Sequence, residues 1–222
     1  MMQLAPIATF TAALVALFKE DFVKLWRRPK LTLRLLLQLP DSSPVATVVS
    51  WREVTTVTWT GNVYYFRFWF ENTGTWPAER VQVNLRSIRN RPGDGKLGTA
   101  RQFLPMNLRW ANFPFDKPVL FETLNPKMGK HCDLGSVSPP ANKSEKPLPG
   151  MKDGESTFNL ATEVFPNDNS QRLPPGKYRL EILVAAQNVR PKAFNVDVDW
   201  SGKFEDSVER MFSDSIAVRI SN

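Results

Sequence analysis

Apolar and polar residues alternate with a period of two along most of this chain, most regularly between Val63 and Ile88. Phe66, Phe68 and Phe70 alternate with Arg67, Trp69 and Glu71, the pattern of a half-buried strand. Val81, Val83 and Leu85 alternate with Arg80, Gln82, Asn84 and Arg86 in a second strand. Between them Asn72-Thr73-Gly74 predicts a turn, because Asn and Gly accept positive φ at little steric cost. This pair of strands is expected to be the structural spine.

The same period predicts further strands on either side. Leu31, Leu33, Leu35, Leu37 and Leu39 would share one face of a first strand, followed by a loop at Pro40–Pro44. Thr47 to Thr60 is rich in Val, Thr and Trp and reads as one strand or two short ones, with Gly61-Asn62 as a tight turn. Beyond Arg89 the alternation fails. Arg101–Phe115 is apolar but broken by Pro105 and Pro114, Lys130–Val137 can hold a short strand, and Ser138–Ser156 reads as a surface loop. Residues 89–173 are therefore expected to form a long irregular insertion. Regular pattern returns in Tyr178–Ala186 and Phe194–Trp200 with a turn at Asn188–Pro191. Phe204, Val208, Met211 and Phe212 predict a short helix, and Ile216, Val218 and Ile220 a last strand.

About seven strands without βα periodicity predict an all-β antiparallel sandwich, since each sheet needs a second one over its apolar face. The stretch FRFWFENTGTWPAERVQVNL resembles the strand–NTG–strand signature of CARDB-like, immunoglobulin-type modules of bacterial proteins, with Ala78 as the small residue before the second strand. LPPGKYRLEILV is similar to the Pro-Gly-x-Tyr lead-in to a late strand of that fold. The resemblance implies an immunoglobulin-like sandwich in which Tyr178 hydrogen-bonds back to the backbone as a corner. It carries no catalytic residue, and residues 89–173 depart from it. The whole chain also resembles bacterial proteins in which a short N-terminal membrane helix precedes a β-domain.

The N-terminus fits that last likeness. Residues 4–18 carry no charge, and the eighteen residues from Met1 to Phe18 reach the short end of the roughly 17–25 that span a bilayer. A cleaved signal peptide and a buried amphipathic helix are the competing readings. A run apolar on all sides favours a single-pass anchor, with residues 1–29 forming anchor and juxtamembrane helix and 30–222 the β-domain. Lys19, Lys24, Trp26, Arg27 and Arg28 would meet anionic lipid headgroups. The positive-inside rule places the β-domain in the cytoplasm at the inner membrane; the alternative is an extracytoplasmic domain.

Charge changes the picture only locally. The formal net charge is +7, yet residues 19–34 hold a surplus of four positive charges and residues 86–109 a surplus of five, so the rest is slightly acidic. Across the segment Arg101–Phe115, Arg101, Phe103, Arg109, Trp110, Phe113 and Phe115 mix bases with aromatic rings, a composition suited to partner recognition or to stacking bases and sugars. The competing reading is a lid that buries those rings over an open sheet edge.

Catalysis is not expected. The chain has one Cys and one His, adjacent as His131-Cys132 before Asp133, and neighbours in an extended segment point to opposite faces. No metal, cofactor or phosphate-loop signature is present in the sequence. The function expected is a membrane-anchored, non-catalytic module that binds an unknown protein partner through residues 89–173. The alternatives are a nucleic-acid-binding protein using Arg86–Arg109 and an exported adhesion or carbohydrate-binding module.

Overall fold

The computed structural model of the protein describes residues 28–52, 56–91, 98–112, 120–142 and 146–221. Lys19, Lys24, Trp26, Arg27, Phe113, Phe115 and the apolar run at residues 4–18 lie outside these residues. Among the described residues no helix is long and apolar enough to cross a membrane.

The alternating stretches form strands of two antiparallel sheets, as the period-two pattern predicts, and the apolar faces of the two sheets meet. In the first sheet β1 (Leu31–Arg34) and β2 (Ser42–Arg52) both pair with the long β3 (Thr56–Asn72). On its other side β3 pairs with β7 (Gly129–Val137), followed by β8 (Phe158–Leu160) and β9 (Arg172–Leu173). In the second sheet β4 (Ala78–Asn90), β10 (Gly176–Ala186), β11 (Val189–Trp200) and β12 (Ile216–Ser221) pair in that order. The free side of β4 takes β5 (Met106–Asn107) and β6 (Phe121–Leu124).

Tyr64, Phe66, Phe68 and Phe70 of β3 are buried, as are Val81, Val83, Leu85 and Ile88 of β4. These two strands belong to different sheets, so residues 73–77 carry the chain from one layer to the other and do not close a hairpin. Asn72 remains extended as the last residue of β3, and its side chain is the reason the layer change is ordered. Its Nδ2 donates to Trp76 O (2.7 Å) and Leu124 O (2.9 Å), while Oδ1 accepts from the N–H groups of Lys30 (3.1 Å) and Gly74 (3.0 Å). Gly74 is required by close approach and not by a left-handed φ: a Cβ there would run into Arg28 O and Lys30 N.

Three other expectations shift. The first strand ends at Arg34, and residues 35–41 loop out opposite Arg67 and Phe68 before β2 resumes the same edge of β3. Leu33, Leu35 and Leu37 still pack against the core, but Leu39 is exposed. Gly61-Asn62 is no turn; β3 runs straight through it. Within 89–173, β7 is a full member of the first sheet with Cys132, Leu134 and Val137 buried, so the region is not a mere insertion. A bulge at the β4–β10 pairing, between Leu85 and Ser87, shifts the alternation by one so that Ile88 also faces inward.

The short helical element lies at Val208–Arg210 (α1), continuing as a π-helical turn over Met211–Ser215. It closes one end of the sandwich: Phe212 stands edge-on to Tyr64 and Phe66, and Tyr64 Oη donates to Asp206 O at 3.2 Å. Tyr178 Oη donates to Pro174 O at 2.8 Å, tying the start of β10 to the preceding turn.

Candidate functional site

A β-sandwich leaves strand edges unpaired at its sides, and here one side is closed by the segment from Arg101 to Ala111. At its beginning Arg101 N–H donates to Ile88 O, and β5 pairs with Asn84 and Leu85 of β4. Leu108 N–H donates to Val83 O (2.8 Å). The segment then leaves the second sheet for the first. Arg109 N–H donates to Ala161 O (2.9 Å), Asp133 N–H to Arg109 O (2.8 Å), and Ala111 N–H to His131 O (3.0 Å). One crossover therefore satisfies the edge of β4 and the edge of β7 in turn.

The side chains predicted for recognition serve this crossover. Trp110 is buried between Phe70 (5.6 Å between ring centres) and Phe121 (5.4 Å). Phe103 packs half-buried against the core. Arg109 points along the crossover: Nε donates to Thr162 O (3.0 Å) and Nη2 to Glu163 O (2.6 Å), and its guanidinium lies 5.9 Å from the Phe165 ring. Burial lowers its pKa, with the Glu163 carboxylate opposing. Arg101 reaches Arg172 O (3.4 Å) and stands 5.7 Å from the ring of Tyr178. Arg28 docks by its backbone, accepting from Thr75 N–H at 3.1 Å. Rings and bases thus hold 161–165 and the crossover to the body, the arrangement of a lid.

Two arginines of the basic patch are paired with carboxylates distant in sequence. Arg86 pairs with Glu181 (3.3 Å), which also accepts from Ser87, and Arg91 pairs with Asp197 and Asp199. Arg179 binds Asp197 through Nε (2.7 Å) and Nη2 (2.9 Å), which depresses the Asp197 pKa below the usual aspartate value. Asp197 and Asp199 are therefore ion-paired and not merely solvated. Arg89 is exposed on the same strand.

The closed edge presents three large apolar side chains outward among polar ones. Leu104 is 76% exposed, Val164 61% and Phe165 63%. They lie on the two segments that pair through Leu108 and Thr162 and through Glu163 N–H donating to Asn107 O (2.8 Å). Residue order could not reveal this cluster, because a stretch without periodicity gives no inside and outside.

His131 and Cys132 point to opposite faces of β7, as their adjacency predicts. Cys132 is fully buried, its Sγ donates to Arg109 O at 3.2 Å, and burial, aided by Asp133, pushes its thiol pKa well up. His131 Nε2 lies 3.2 Å from Asp41 Oδ1 on the outer face. Among the described residues no group of His, Cys, Asp and Glu has the arrangement of a metal site.

Fold and site together define an antiparallel β-sandwich with one side closed by a clamped crossover. Comparison of the chain with family models, curated proteins and solved structures yields no match.

Proposed function

We propose that the protein is a non-catalytic interaction module, tethered by its apolar N-terminal segment, that binds a protein partner through the outer rim of the crossover in region 89–173. One observation carries this reading: Val164 and Phe165 are exposed next to the Thr162 and Glu163 carbonyls that Arg109 clamps, and Leu104 is exposed on Arg109's own segment. Apolar side chains held rigidly at the surface give up little conformational entropy on binding. The separation of His131 from Cys132, and the inert thiol, support a non-catalytic reading. The tether is supported by the uncharged run at residues 4–18 and the basic residues that follow. The Tyr178–Pro174 bond supports an immunoglobulin-type sandwich.

The test is photo-crosslinking in the host cell with benzoylphenylalanine placed at Leu104 or Phe165, and at exposed Lys177 as a control. A discrete protein adduct is expected from the first two positions and not from Lys177. Leu104→Asp and Phe165→Asp should each abolish the adduct formed at the other position. They should change stability by no more than about 0.5 kcal/mol, because both sites are largely exposed. Equal adducts at all three positions, or none, would refute the reading.

A further inference from the structure

The outer face of the first sheet should be an ordinary solvated surface, yet a cleft of about 340 Å³ lies on it, lined by Pro40, Arg67, Trp69, Asn112, Gly129, Lys130 and His131. That volume is near the lower end of the roughly 300–1,000 Å³ found for small-ligand sites. Its side chains are positioned by partners that have no role in the sandwich core. The Trp69 indole lies flat over Gly129, where a Cβ would collide with the ring, and His131 stands beside it at 4.8 Å between ring centres. His131 is held by Asp41, whose carboxylate is fully buried and also accepts from Leu36 N–H (3.2 Å) and Arg34 Nε (3.4 Å). Arg67 is held by Asp133 at 3.0 Å. The buried Asp41 carboxylate is paired with Arg34 and hydrogen-bonded, which offsets its desolvation and leaves it a fixed partner for His131.

We infer that this cleft binds a neutral saccharide, one ring lying on the Trp69 indole and its hydroxyls meeting Arg67, His131 and Asn112. The chemistry selects this class in two steps. The half-buried Trp69 indole in the cleft wall takes a flat apolar face, which a pyranose presents through its C–H groups and a nucleobase through its π-face. The charged groups then separate the two: Arg67 is matched by Asp133, Arg34 and His131 share Asp41, and the Lys130 ammonium lies over the Phe121 ring at 5.6 Å. Planar donors and acceptors in near-neutral pairs suit many hydroxyls, whereas a phosphate calls for uncompensated cations. The cleft is distinct from the Leu104–Phe165 rim, so either assignment can fail without the other.

The experiment is titration of the full chain with cellotriose, maltotriose and N-acetylchitotriose, and separately with adenosine monophosphate, following the Trp69 indole N–H resonance. At least one trisaccharide should shift that resonance with a Kd of roughly 1 mM or tighter, and the nucleotide should not. Trp69→Ala should weaken binding about tenfold or more. Asn112→Gly, at a position where φ is +58° and glycine keeps the backbone, should weaken it while leaving the fold intact, and supplies the comparison if Trp69→Ala does not fold. The assignment is overturned if no trisaccharide moves the Trp69 resonance up to roughly 20 mM, if the nucleotide alone does, or if binding survives the folded variants undiminished.

Discussion

At the scale of single residues, Asn72 determines more than any other polar side chain described. Buried and with both amide donors and its carbonyl engaged, it joins the segment before β1, the end of β3, the layer-crossing turn and β6. Its donors meet two backbone carbonyls, so a carboxylate of the same shape cannot replace it. Asn72→Asp should destabilise the fold by on the order of 3 kcal/mol or more, more than Asn72→Ala, read as the drop in thermal midpoint at pH 7. Turn propensity pointed to this residue for a different reason. The sequence motif was legible, but the role of the amide was not, because its partners lie at residues 30, 76 and 124. Cys132 is the opposite case: position beside His131 in an extended segment was enough to separate the two.

At the scale of elements, the outer face of the second sheet shows how pairing redistributes charge. Neighbours along β10 and β11 bring Arg179 against Asp197, and the end of β4 adds Arg91. The folded pKa of Asp197 is depressed, so its contribution to stability is present above the ordinary aspartate pKa of about 3.9 and is lost as pH falls through the lower folded value. Asp133 has the reverse sign: burial outweighs Arg67 and raises its pKa, so ionising it in the folded state is unfavourable and acid relieves that cost. Asp197→Asn should therefore lower stability by roughly 1–3 kcal/mol near neutral pH, with the gap to the unaltered protein closing below about pH 4. Thermal melts from pH 7 to pH 3 measure it; a gap independent of pH would show that Asp197 is not held in ionised form.

At the scale of the whole molecule, the crossover from Arg101 to Ala111 decides whether the two sheets share one closed side. Arg109 is its clamp, and Arg109→Met would leave the carbonyls of Thr162 and Glu163 without these donors. A loss of about 1.5–3 kcal/mol is expected. Hydrogen exchange should rise first at the amides of residues 161–163, ahead of β10 and β11, which are held on both sides. Uniform loss of protection would instead make the crossover part of the global unfolding unit.

The inward-facing Phe66, Phe68 and Phe70 of β3, Val81, Val83 and Leu85 of β4, and the apolar faces of β10 and β12 were determined by the sequence alone, because a period of two sorts side chains by face without reference to any partner. What tertiary structure decided is everything that depends on which edge meets which. The turn after Asn72 was visible in the residues, but not that it changes layers, since hairpin and layer crossing use the same turn chemistry. The aromatic, basic stretch Arg101–Trp110 was visible as unusual, and its choice between lid and recognition surface turned on two sheet edges contributed by β4 and β7. Even the sign of the charge on a surface was not local: Arg86 and Arg91 met carboxylates roughly a hundred residues later. Local pattern sorts which side chains a segment can bury, because the period of two is set by its own backbone; only the assembled edges determine what it leaves exposed, because they are made by partners distant in sequence.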